Sequence, residues 1–208
     1  MLFYSPDAQV VMRNLAFRST LIFLFLFGMG GLAMLADYSH RPNLSIGAVQ
    51  CEWPPPGLHV PEADSVVAIF YHPRCPCTRA TIRNLERLVP RFASTTQIIA
   101  FAFQPHDEDL SRLETEITQR LRAIPNSQIV PDVDGKFASQ YGATTSGHVL
   151  LFDASGRLRF NGGITPSRGH EGSCKGTESL LHLVNGTHEQ LVECPSFGCS
   201  ITSPTEED

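Results

Sequence analysis

The stretch from Ser65 to Leu88 constrains the fold more than any other: an apolar run, two cysteines around a proline, then an amphipathic segment. Val66, Val67, Ala68, Ile69 and Phe70 show no polar alternation, the pattern of a strand covered on both faces. Cys75, Pro76 and Cys77 follow the strand almost at once. Ile82, Leu85, Leu88 and Val89 then recur at helical spacing over residues 77–89, and Pro90 ends the segment. A buried strand that hands two thiols to the start of a helix is an arrangement suited to thiol–disulfide chemistry. Unpaired N–H groups and the helix dipole at that terminus stabilise a thiolate. Pro76 has no N–H to lose there and presets the backbone for the first turn.

The rest of the chain supplies a framework around that junction. Residues 97–103 read as a second buried strand. Asp107 is placed to cap a helix to about residue 123, with Leu110, Leu113, Ile117 and Leu121 on one face. Residues 134–141 form a short helix stopped by Gly142. Residues 148–153 and 157–160 form a hairpin, and a last helix covers 177–184. This order implies an α/β fold over residues 64–200, a mixed sheet with flanking helices.

Residues 19–36 are almost wholly apolar, near the short end for one bilayer crossing. Arg13 and Arg18 precede them and Asp37 follows, which puts residues 1–18 in the cytoplasm and the domain outside. A cleaved signal peptide is the alternative. Either way the thiols meet an oxidising compartment, the periplasm or its equivalent, where disulfides persist. Residues 37–63 read as a proline-rich linker that carries Cys51, and residues 201–208 as a solvated acidic tail. The net charge of −5 argues against a nucleic-acid partner. No phosphate-cradling glycine loop and no strained serine elbow is present. No internal repeat is visible, and the oligomeric state is not legible.

Phe70, Tyr71, His72, Pro73, Arg74, Cys75, Pro76 and Cys77, together with the element order, resemble the thioredoxin superfamily. The run from Asp134 through Ala143, followed by Val149 through Leu158, is similar to membrane-anchored thioredoxins of the TlpA and ResA kind. Thr145 through Phe152 and Gly162 through Gly172 resemble bacterial proteins labelled RedB. The resemblance spans residues 65–199. It implies a thioredoxin-like fold and exchange with the thiols or disulfides of other proteins, without a cofactor. Two features depart from the family: one residue separates the cysteines instead of two, and Gly147, preceded by Ser146, stands where the family carries a cis-proline.

The oxidoreductase reading makes Cys75 the exposed attacking thiol and Cys77 its resolving partner, with Arg74, Arg79 and His72 depressing the Cys75 pKa. A one-residue spacer makes a strained ring, which shifts the couple toward the oxidising end and leaves Cys199 or Cys194 as other resolving thiols. A local Cys194–Cys199 disulfide pinning the tail is the plainer reading of those two, and Cys174 is available to pair with Cys51 or either of them. In the metal reading, Cys75, Cys77 and His148 form a soft site for Cu(I). The copper-assembly proteins called Sco share the superfamily fold and use two cysteines with a distant histidine, although their cysteines are spaced by three residues. A third reading, from another class, is a catalytically silent thioredoxin-like binding module.

Overall fold

The computed structural model describes residues 6–43, 52–186 and 190–201, with side chains from residue 12 onward. Cys51 and residues 202–208 lie outside them. The chain divides into two units, Met1–Ser39 and His40–Asp208.

The first unit is one helix, α1 (Pro6–His40). Within it Met12–His40 is long and apolar enough to cross a membrane, with a mean hydropathy of 2.0 and nothing buried. The helix outruns the expected 19–36 at both ends, because nothing in the flanking residues breaks it.

The second unit is built on a sheet of β1 (Ser65–Tyr71), β2 (Thr96–Gln104), β3 (Ser127–Val133), β4 (His148–Asp153), β5 (Leu158–Gly162) and β6 (Val192–Glu193), in the order β3-β2-β1-β4-β5-β6. β1 pairs in parallel with β2 and antiparallel with β4, so it is central and every residue in it is buried. That position explains the unbroken apolar run. Side chains alternate across the sheet. Val67, Ile69 and Tyr71 face a core shared with α2 (Thr78–Leu88), α3 (Glu116–Arg122) and α5 (Lys175–Val184). Val66, Ala68 and Phe70 face a second core closed by α4 (Lys136–Gln140) and Trp53.

Three expectations change. The helix foreseen from residue 107 to 123 is a 3-10 turn at Leu110–Leu113 followed by α3, whose N-cap Thr115 accepts from the Thr118 N–H. β3 was not foreseen from the residues, because Pro131 reads as a breaker; it is tolerated on an edge strand, where one side of the backbone needs no partner. Residues 52–63, expected as linker, pack on the domain. Trp53 stacks on Phe152 at a centroid separation of 4.4 Å, and Leu58 and Val60 cover the same core.

Candidate functional site

The site forms where β1 ends. Cys75 donates its backbone N–H to the His72 carbonyl at 3.0 Å, and the Cys75 carbonyl accepts the Thr78 N–H at 3.2 Å. The chain is therefore already turning as a helix when it passes Cys75, and Cys77 has helical angles (φ −67°, ψ −32°). Pro76 is exposed at the rim of this turn.

A third sulfur completes the site. The Sγ atoms of Cys75, Cys77 and Cys199 all lie within 4.8 Å of one another. Cys75 is the deepest, at 3 % exposure; Cys77 is half-buried and Cys199 exposed. The sequence reading made Cys75 the exposed thiol, and here the structure differs: the segment after β6 lies over it and brings Cys199 to the surface position. The same placement separates Cys194 from Cys199. Cys194 packs into the first core, where burial pushes its thiol pKa up, and the charges of Lys175 (lowering) and Cys174 (raising) act on it. Cys75, Cys77, Cys174, Cys194 and Cys199 are free thiols.

Cys75 is the ionised member. Burial works against its charge, but hydrogen bonds from the side chain and backbone of Cys199 and from the backbone and hydroxyl of Thr78 outweigh it, and its pKa falls to about 7. Burial raises the Cys77 pKa, and the charge of Cys75 raises it further while Arg168 lowers it. Burial and its bond to Cys75 push Cys199 up to about 12, so Cys199 keeps its own proton and donates it toward the Cys75 sulfur. The lowered Cys75 pKa agrees in direction with the sequence reading, but the cause differs. His72 is itself held below the ordinary histidine range by burial, stacks on Phe103 at 5.5 Å and accepts the Arg74 N–H. Arg79 pairs with Glu116 at 3.2 Å, and Arg74 is exposed.

The loop before β4 forms the wall opposite the thiols. Ser146 is fully buried; its Oγ accepts the His72 N–H at 2.8 Å and meets the Thr78 hydroxyl at 2.6 Å. Gly147 sits at φ +93°, and a Cβ there would lie 2.5 Å from the Thr81 hydroxyl. The peptide before it is trans; among the described residues the cis bond is Trp53–Pro54. Glycine solves the close approach to α2 by having no side chain.

His148 does not join the thiols. It is fully buried, its Nε2 is 2.7 Å from Asn161 Oδ1 and its Nδ1 is 3.1 Å from the Ser196 hydroxyl. Burial lowers its pKa to about 4, so it is neutral, with both nitrogens engaged. The third soft donor beside Cys75 and Cys77 is Cys199. Spacing could not reveal it, since the contact depends on how the tail returns across the sheet.

No protein-family model and no curated protein matches the chain. Solved structures do. A hypothetical protein from Sinorhizobium meliloti is similar with a TM-score of 0.54 at 19% identity, covering 69% of this chain and 82% of its own. An uncharacterised conserved protein from Geobacillus kaustophilus gives a TM-score of 0.50 at 21% identity, over 69% of this chain and 80% of its own. A secreted disulfide oxidoreductase from Mycobacterium tuberculosis gives 0.42 at 15% identity, over 59% and 81%. The central βαβ unit and the β4–β5 hairpin with its closing helix give the second unit of this chain a thioredoxin-like fold.

Proposed function

We propose that the protein is a membrane-tethered thiol–disulfide oxidoreductase with Cys75 as its nucleophile. One observation carries the reading: an ionisable sulfur at a helix start, its pKa near 7, with two further thiols in reach. The Cys75 thiolate attacks one sulfur of a partner protein's disulfide. The partner's S–S bond breaks, a mixed disulfide forms and the other partner sulfur leaves as thiolate. A second thiol of the cluster gives up its proton and attacks the Cys75 sulfur, releasing the reduced partner. The reverse sequence oxidises a partner dithiol. Because Cys75 lies beneath Cys199, a partner reaches it only as the tail yields.

The apolar α1 supports tethering, and Arg13 and Arg18 ahead of the apolar residues 19–36 support an outward-facing domain. A membrane-impermeant maleimide applied to intact cells labels thiols of the domain if this orientation holds.

To test the exchange reading, full-length protein in detergent is reacted with a chromogenic disulfide such as dithiodipyridine across pH. The expected result is a rate that rises through pH 7 and is lost in Cys75→Ser. Thiols that react only after denaturation would instead favour the silent binding module.

The three-sulfur cluster favours one second reading, capture of Cu(I). Three soft donors within 4.8 Å, one at the surface, suit a d10 cation that prefers thiolates. His148 does not fit this role, because both of its ring nitrogens are engaged. Under anaerobic titration this reading expects one tightly held equivalent, lost in Cys199→Ser and kept in His148→Gln.

A further inference from the structure

We infer that Cys199, rather than its near neighbour Cys77, closes a disulfide with Cys75, and that the C-terminal segment is therefore itself a redox partner of the site. The inference rests on the exchange reading and adds the identity of the resolving thiol. Two independent sets of observations lead to it.

The first is the backbone at the two near cysteines. The Cys75 and Cys77 sulfurs lie within 4.8 Å of each other, but residues two apart on a helical turn carry their Cβ atoms in different directions. The turn is closed here by the Thr78 N–H to the Cys75 carbonyl, the Arg79 N–H to the Pro76 carbonyl and the Ala80 N–H to the Cys77 carbonyl, at 3.2, 3.3 and 3.1 Å. A disulfide needs Cβ atoms about 3.5–4.5 Å apart. Joining Cys75 to Cys77 means unwinding that turn around a proline whose φ is fixed.

The second is the way the tail is held. The Ser146 N–H donates to the Cys199 carbonyl at 2.8 Å and the Ile201 N–H to the Thr144 carbonyl at 3.0 Å, with Thr145 and Ser200 bridged antiparallel. The tail is thus paired along the loop that faces the thiols, as an added strand. A Cβ on Gly198 would lie 2.2 Å from the Ser146 carbonyl oxygen, so the residue before Cys199 must be glycine for this approach. Asn43 donates through its backbone to Ser196 and through its side chain to the Gly198 carbonyl, both at 3.0 Å, and Arg168 donates to the same carbonyl. Ile201 is buried in the second core. Cys199 is therefore clamped on both sides, its N–H directed at the Cys75 sulfur and its S–H shared between the sulfurs of Cys75 and Cys77.

The step balances with a disulfide as oxidant. Cys75 attacks oxidised glutathione and releases one glutathione thiolate. Cys199 then loses its proton and attacks the Cys75 sulfur, releasing the second glutathione as the Cys75–Cys199 bond forms. Two protein thiols are oxidised and one glutathione disulfide is reduced.

Reduced full-length protein in detergent is treated with oxidised glutathione, alkylated, and cut with trypsin, which cleaves after Arg74, Arg79 and Lys175. The expected product joins the Cys75-containing peptide to the C-terminal peptide. It persists in Cys77→Ser and in Cys194→Ser and is lost in both Cys75→Ser and Cys199→Ser, and in Cys199→Ser a glutathione adduct accumulates on Cys75. A main product looped within the Cys75–Cys77 peptide overturns the inference and leaves the exchange reading standing. Failure to form any disulfide or adduct in the native protein overturns both.

Discussion

At Cys75 burial and hydrogen bonding act in opposite directions, and the hydrogen bonds win. The donors matter more than formal charges because Thr78 and Cys199 touch the sulfur, whereas the nearby arginines are exposed and screened. Thr78→Val should therefore slow iodoacetamide alkylation of Cys75 at pH 6.5 by roughly three- to tenfold, since thiolate fraction falls as the pKa rises. Arg74→Ala and Arg79→Ala should leave that rate within about twofold. That two thiols stand where a buried strand hands over to a helix was legible from the strand, the cysteines and the amphipathic segment. The stabilising groups of Cys75 were only half legible: the helix start was visible, but Cys199 comes from far along the chain. His148 makes a second residue-scale case. The unfolded chain binds a proton near pH 6.5 and the folded one only near pH 4, so stability falls as pH drops between those values, by up to ~3 kcal/mol, and changes little more below them. In thermal melts, His148→Gln should flatten this pH dependence.

Among the elements, the loop before β4 and the tail are both set by close backbone approach at a glycine. Gly147→Ala would put a Cβ against Thr81 at a left-handed φ, and should cost about 1–3 kcal/mol in chemical denaturation. Gly198→Ala should lift the tail from the Thr144–Ser146 edge; faster amide exchange at Ser146 and Ile201 would report it, and unchanged exchange would argue that the tail is held elsewhere. Elements with strong apolar patterns were legible: β1, β2, β4 and α2 follow directly from residue types. β3 and the tail were not. Pro131 conceals an edge strand that needs fewer ladder bonds, and the tail's order comes from long-range pairing to Asn43, Thr144 and Arg168, which local composition does not encode.

On the scale of the whole molecule, both cores of the second unit are built, among the described residues, from Trp53 onward. Removing residues 1–39 should therefore shift the domain from the membrane fraction to the soluble fraction and leave its melting temperature within a few degrees. A domain that stays in the membrane fraction would point to another attachment. The two-part organisation was legible because an apolar helix and an α/β pattern differ in period and length. Where the linker ended was not, because the stacking of Trp53 on Phe152 is a tertiary contact made by a segment whose prolines suggest a spacer. The hydrogen-bonded chain that runs from exposed Glu193 inward through Asn161 and His148 to Ser196 has one more consequence. It pins Ser196, and Ile201 is pinned by Thr144, so the residues between them work as a ruler with fixed ends. Composition there can drift at Phe197 or Ser200, but residue number cannot: one inserted residue would slide the surface sulfur out of step with the one below it.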